Sequence, residues 1–491
     1  MDPVLPDHDD FFGPVPPERP RRRGLRTAGV AAATVFVVGA TTGAVAFNSY
    51  LSGGGTQPED LLSSGAFAYA KVDLDPAADQ KLALYQLSRK FPDVLRDQGK
   101  DAVLKDTVLA AMLADENGVS YDKDIKPWLG DRAGVAVYPA AAKNAAPRIA
   151  AAVQFTDVQK MTDALTKIAK TEHIGWAIRE DYVVISTDKI QAEDLLAADA
   201  DAALARQADY AADVASLGGD QVAVSWLDFG GYFKALVGTF PLGAPDLTQQ
   251  LQAGVAKTGR FVMGLHASAE YLEMTGRGPG WPAAAASPGS NLAGRMPADS
   301  VGVLSIAGLG PEFSKSWQQT VAARPEVAPF LGMAAQYGLQ LPGDIAAVFG
   351  TESAAALAAS ADEQPLVSML SRGGDAARAK QLAGIVTGLT GQQIVTRKTT
   401  DGFVAGNDAA FVDATAAGSR ALGDSASYKL AVPEADQAQI VLYVDLDKAI
   451  AIAEMTPAEA QEAKKAKALD AFGLTVGGGE GNAFRIRLTV D

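Results

Sequence analysis

The 491-residue chain contains no cysteine and only three histidines. The first absence removes disulfides, thiolate metal sites, cysteine nucleophiles and lipoprotein acylation, so any exported part must be held together by its core alone. The second leaves His173 and His266 isolated, with His8 near the amino terminus, and neither has a second ligand at helical spacing or a carboxylate pair beside it. No metal, cofactor or nucleotide motif is expected. Positive charge is also in deficit, with 43 Lys and Arg against 58 Asp and Glu and a net charge of -15. Such a surface repels phosphate backbones and argues against a nucleic-acid partner. The chain does have the makings of a core: 48% hydrophobic and 21% charged residues are globular values, and the length favours two or more domains.

One long stretch also lacks charge. After Arg19, Arg21, Arg22, Arg23 and Arg26 the next charged residue is Glu59, and the mostly apolar part of the gap runs from Thr27 to Phe47. As a helix these residues would span roughly 31 Å, close to the hydrocarbon core of a bilayer. The arginines place residues 1–26 on the cytoplasmic side. With six prolines, that tail reads as disordered. The expectation is therefore a single-pass plasma-membrane protein with a transmembrane helix at 27–47 and the bulk of the chain extracytoplasmic. A cleaved export signal is the alternative, because Ala44-Val45-Ala46 is an A-x-A-like site and Arg22-Arg23-Gly24-Leu25 loosely follows the twin-arginine pattern. The apolar run exceeds the ordinary signal-peptide core, which favours the anchor. Gly39 and Gly43 form a G-x-x-x-G inside the span, a candidate contact for a homodimer through the membrane helix.

Laid against itself, the exterior part repeats. Asp124-Ile125-Lys126-Pro127-Trp128-Leu129-Gly130 lines up with Asp344-Ile345-Ala346-Ala347-Val348-Phe349-Gly350 at an offset of 220 residues, and Pro147 to Phe155 then Asp157 lines up with Pro365 to Leu370 then Asp375 at 218. Asp181 to Ser186 answers Asp401 to Gly406, Val222 to Asp228 resembles Ile440 to Asp447, and Arg260 to Gly276 resembles Gly473 to Val490. Two copies are expected, at about 60–276 and 296–491, joined by a Pro- and Ala-rich linker at 277–295.

Within a copy the periods predict the elements. Ala66 to Leu74 is a β-type run, followed by Asp75-Pro76 as a helix start with Leu84, Leu87, Phe91 and Leu95 on the apolar side. Arg148 to Phe155 is a strand, and Asp157 caps a helix whose Val158, Met161, Leu165 and Ile168 make one stripe. Trp176 to Glu180 and Tyr182 to Thr187 form a hairpin before a helix at Lys189 to Ala197. The predicted fold class is α+β: two tandem copies of a mainly antiparallel sheet with helices packed on one face.

The arginine-flanked anchor, the strand ending in Val72-Asp73-Leu74-Asp75-Pro76, the Trp128-Leu129-Gly130-Asp131-Arg132 block and the repeated strand-helix-hairpin units resemble the domain-of-unknown-function 3352 family of membrane-anchored bacterial envelope proteins. The second copy departs from these motifs, with Ser305-Ile306-Ala307-Gly308 in place of the acidic turn and Thr351-Glu352 in place of Asp131-Arg132. The resemblance implies an envelope location and no activity, and it assigns no site residues.

Three patterns hint at chemistry. Ser186-Thr187-Asp188-Lys189 is an S-x-x-K, and Lys257-Thr258-Gly259 precedes a strand, as in penicillin-recognising serine enzymes. Ser186, however, ends what reads as an exposed hairpin strand rather than opening a buried helix, and the second copy carries neither serine nor lysine there. The acidic strand ends Asp73 and Asp75, Asp228, and Asp445 and Asp447 read as helix caps before they read as a cation site. Gly477 to Asn482 lies between two strands with no helix behind it, a hairpin turn rather than a phosphate loop. No catalytic residue is assigned, and an enzyme is not expected. The function classes left are a non-enzymatic envelope protein that contacts another envelope protein or plays a structural role, or an extracytoplasmic protein that binds or senses a lipid or small ligand between sheet and helices.

Overall fold

The computed structural model describes residues 55–73, 78–91, 120–142, 145–239, 259–278, 292–323, 332, 334–360, 364–418, 421–452, 467–477 and 483–491. The expected tail, the span at 27–47 with Gly39 and Gly43, most of the expected linker, and Asp75 lie outside them. No described helix is long and apolar enough to cross a membrane.

The strands of the first half are β1 (Ala68–Asp73), β2 (Leu129–Tyr138), β3 (Arg148–Phe155), β4 (Gly175–Arg179), β5 (Tyr182–Ser186), β6 (Ala223–Asp228), β7 (Arg260–Ala267) and β8 (Tyr271–Arg277). Those of the second half are β9 (Ser300–Ala307), β10 (Glu352–Ala358), β11 (Leu366–Arg372), β12 (Val395–Lys398), β13 (Gly402–Gly406), β14 (Ile440–Asp445), β15 (Leu469–Val476) and β16 (Ala483–Val490). All pair antiparallel in one sheet, ordered β12-β13-β11-β10-β9-β14-β15-β16-β8-β7-β6-β1-β2-β3-β5-β4. Read outward from the middle, the second half runs 16-15-14-9-10-11-13-12 and the first 8-7-6-1-2-3-5-4, the same order of connections. The halves meet where β8 pairs with β16, Thr275 standing opposite Arg485.

Local chemistry also recurs between the halves. Asp124 accepts from Ser120 N at 2.9 Å and pairs with Lys167 of the helix Val158–Ile168 at 2.6 Å. Asp344 accepts from Gln340 N at 2.7 Å and pairs with Arg378 of the helix Ala376–Thr390 at 3.2 Å. Each carboxylate thus ties the turn before a strand to the helix that follows the next one. The hydrogen bonds from Lys167 and Ser120 hold the Asp124 carboxyl below the usual carboxylate range. Asp157 and Asp375 cap their helices by accepting from the backbone N–H groups two and three residues on, and Asp188 and Asp408 each accept from the one three residues on.

The helices cover both faces, not one. Tyr182 and Val184 of β5 look into a core with Leu61, Leu195, Leu204 and Tyr210, while Val183 looks the other way, into a core with Met161, Leu165 and Trp128. Nearly every residue of β5 is apolar, the composition of a strand buried on both sides, and this is what defeats the one-face expectation. In the second half, Leu292, Phe411, Leu422 and Tyr428 share one core with Val303, Leu370 and Tyr443. Leu292 therefore belongs to the fold, although composition assigned it to the linker. Within the helix Val158–Ile168, Met161 and Leu165 are buried, but Val158, beside the cap, is 51% exposed.

Buried charges sit at matching places with opposite sign. Arg132, second-half counterpart Glu352, pairs with Asp73 across β1 at 3.1 Å. Glu352 pairs with Arg372 across β11 at 3.0 Å and accepts from Leu292 N at 2.9 Å. Asp73 is therefore a counter-ion, and the helix start it was expected to cap lies outside the described residues. Arg132→Met takes the guanidinium from that buried carboxylate and is expected to cost about 3–5 kcal/mol in denaturant unfolding. Lys189→Ala, which loses only a pair with Glu193 between exposed side chains, is expected to cost under about 1 kcal/mol.

Candidate functional site

Residues directly opposite one another in an antiparallel sheet share a face, so the register specifies what each face displays. Across the six central strands, Leu304, Leu442, Leu474, Ile486, Met274 and Leu265 form one continuous row. A second row beside it is Gly302, Val444, Phe472, Leu488, Leu272 and Ala267. The third is Ile306, Ile440, Val476, Phe484, Gly276 and Met263. No position in the three rows carries a polar or charged side chain.

This face is not sealed. Leu304 is 42% exposed, and Leu442, Leu474, Ile486, Met274 and Leu265 are all partly exposed. The second row continues outward through Leu357, 40% exposed, and Val367, 41% exposed. At one end, Leu84 and Leu87 of the helix Ala78–Arg89 cover Ala267, Leu272, Leu469 and Val490. Phe261 stacks on Phe484 across the join, with ring centroids 6.1 Å apart. Apolar surface of this breadth is uncommon on the exterior of a folded chain.

At the join, the reverse face of β8 and β16 is charged. Arg487 pairs with Glu273 across the join and donates to Leu430 O at 2.9 Å, its guanidinium lying 3.9 Å above the Tyr271 ring. Arg485 Nε lies 3.1 Å from Glu273 as an ion pair without hydrogen-bond alignment, and its Nη1 reaches Glu434 at 3.4 Å. Thr275, Glu434, Thr475, Ala483, Phe484 and Arg485 line a pocket of about 40 Å³ here, large enough for water and too small for an organic ligand. The polar side chains that lock the halves together thus all point away from the apolar rows.

The residues singled out by motif go elsewhere. Ser186 is buried at 6% exposure, contrary to the exposed strand end expected, with its Oγ 2.7 Å from both Ile149 O and Gln191 Oε1. Lys189 reaches Glu193, not Ser186. His173 is exposed, and His266 Nδ1 lies 3.1 Å from Asp220 O. Asp228 and Asp445 cap as expected, accepting from Gly230 N and Lys448 N at 2.9 Å each. Asp447, Asp470 and Asp491 bring carboxylate oxygens within 4.8 Å of one another, a grouping the sequence did not signal. Burial, then repulsion from Asp491, raises the Asp447 pKa. Asp470 already accepts from Ser427 at 2.8 Å and Thr489 at 3.0 Å, so much of its capacity for a cation is taken up. Gly477 N donates to Ala483 O at 2.8 Å, closing the β15–β16 hairpin.

A family model described as protein of unknown function (DUF3352) matches residues 30–402. The chain belongs to the DUF3352 family. No curated protein matches it. Three crystal forms of TP0453 are similar over part of this DUF3352 chain: form I at TM-score 0.23 and 13% identity, covering 46% of this chain and 80% of that one, and forms III and IV at 0.21 and 12%. They cover 46% and 45% of this chain and 80% and 81% of theirs. Likeness at that level carries no argument.

A serine held by two acceptors with no base in reach does not act as a nucleophile. A fluorescent penicillin is therefore expected to label neither the wild type nor Ser186→Ala, and labelling of the wild type that disappears in the variant contradicts this.

Proposed function

We propose that this DUF3352 chain is a single-pass, membrane-anchored protein of the cell envelope that binds rather than catalyses, with the apolar rows of the central sheet as its working surface. The observation that carries the reading is the partly exposed, wholly uncharged face running unbroken through the join, on a chain with a net charge of -15. Evolution of an acidic exterior keeps a chain soluble, and a broad uncharged face within it is maintained at a cost in solubility. Of the two classes the sequence leaves, this favours engagement of an apolar partner over a purely structural role.

We further propose that the exterior consists of two tandem copies of one eight-stranded unit. The matching strand orders support it, as do the Asp124 and Asp344 ties and the paired aspartate caps. Duplication supplies two half-faces, and pairing β8 with β16 makes them one.

The location rests on the arginine cluster before residue 27 and the charge-free run after it. Protease added to intact spheroplasts is expected to digest the large domain and spare residues 1–26. A protected large domain contradicts the topology, and a released form beginning at Phe47 supports a cleaved signal instead.

A further inference from the structure

The middle apolar row crosses six strands, a length of about 24 Å at the usual strand spacing of about 4.8 Å. One leaflet of a bilayer has a hydrocarbon depth of about 15 Å, half of the roughly 30 Å core. The row is therefore long enough to lay an acyl chain along it at full length. No side chain in the three rows can donate a hydrogen bond, and the only acceptors are the weak thioether sulfurs of Met263 and Met274, whereas protein interfaces carry roughly one hydrogen bond per 100–200 Å². The face thus offers nothing to fix the polar backbone of a peptide. Hydrocarbon asks for no such partner. Met263 and Met274 add flexible, polarizable surface suited to a ligand without a fixed shape.

Proximity to lipid follows from the tether. Tyr182 donates to Thr56 O at 2.8 Å, which pins the chain to the sheet just after residue 55. Residues 48–55 between the expected span and this anchor point extend at most about 29 Å. The domain is held within that distance of the bilayer surface.

We propose that the central apolar face takes the acyl chains of a lipid from the membrane to which the protein is anchored. This rests on the anchored-binding-protein reading, and the test separates the two. The full-length chain is expressed in bacteria fed a fatty acid that carries a mid-chain diazirine and a terminal alkyne, the cells are irradiated, and adducts are mapped to peptides. Two sets of adducts are expected, one within 27–47 and one on the strands bearing Leu304, Ile486 and Met274. Leu304→Glu together with Ile486→Glu is expected to cut the strand adducts at least fivefold with the 27–47 adducts unchanged. Ile190→Glu, at an 80% exposed position off the face, is expected to change neither. Proteolytic resistance of each variant is compared with that of wild type, and Leu304→Glu alone serves if the double variant loses it. Adducts within 27–47 with none on the strands overturn the lipid proposal while leaving the anchor standing. No adducts within 27–47 overturn the anchor and the proposal with it. Strand adducts that persist undiminished in Leu304→Glu together with Ile486→Glu also overturn it.

Discussion

Everything distinctive in this structure depends on one strand pair. β8 and β16 are the last strands of their halves, and unpaired they would be two long open edges, each a template for aggregation. Paired over seven positions from Arg277 opposite Ala483 to Tyr271 opposite Thr489, they remove both edges at once. The pairing also sorts the side chains. On one face it sets Glu273 between Arg485 and Arg487, and on the other it sets Met274 beside Ile486 and Leu272 beside Leu488. A one-residue slip would exchange the faces and drive the arginines into the apolar rows. The ion pairs at the join therefore specify register, and the register makes the apolar face continuous.

The sheet still has two outer edges, β4 and β12. β12 carries Arg397 and Lys398, the former paired with Asp413 at 2.7 Å, and charge of this kind is a common guard against edge pairing. Inside the halves, the exchange of Arg132 for Glu352 is instructive. The position holds a buried charge in both, countered by Asp73 on one neighbouring strand in the first half and by Arg372 on the other neighbour in the second. A buried pair contributes little net stability compared with apolar packing, but losing one member is costly, so such positions resist change one residue at a time.

Much of the scaffold was legible because its signals are local. Arg148 to Phe155 is the strand expected, to the residue, and Asp157 caps the helix expected of it. What escaped depends on distance. The ion pair of Asp73 with Arg132 joins residues 59 apart in the chain, and nothing local to either one signals it. Ser186 looked exposed because the carbonyl of Ile149 that meets it belongs to another strand. Helices on both faces were missed because short runs such as Tyr182 to Ile185 have no polar side to mark. The apolar face was invisible for the strongest reason. Leu304, Leu442, Leu474, Ile486, Met274 and Leu265 come from six strands spread over both halves, and only register lines them up. Each strand alone shows an ordinary alternation, with nothing to say that its apolar side stays open.

The cysteine-free sequence permits a direct measurement of whether that face works in an apolar environment. Single cysteines placed at Leu304, Met274 or Ile486 in the full-length protein, reconstituted with lipid vesicles, can be spin-labelled without competing thiols. Collision rates are then compared for oxygen, which concentrates in hydrocarbon, and for a water-soluble nickel chelate. An open apolar face engaged with lipid predicts high oxygen and low nickel accessibility at all three positions, with the reverse at Glu434 on the charged side. High nickel accessibility at Leu304, Met274 and Ile486 would contradict the account, because it would leave the face simply facing water.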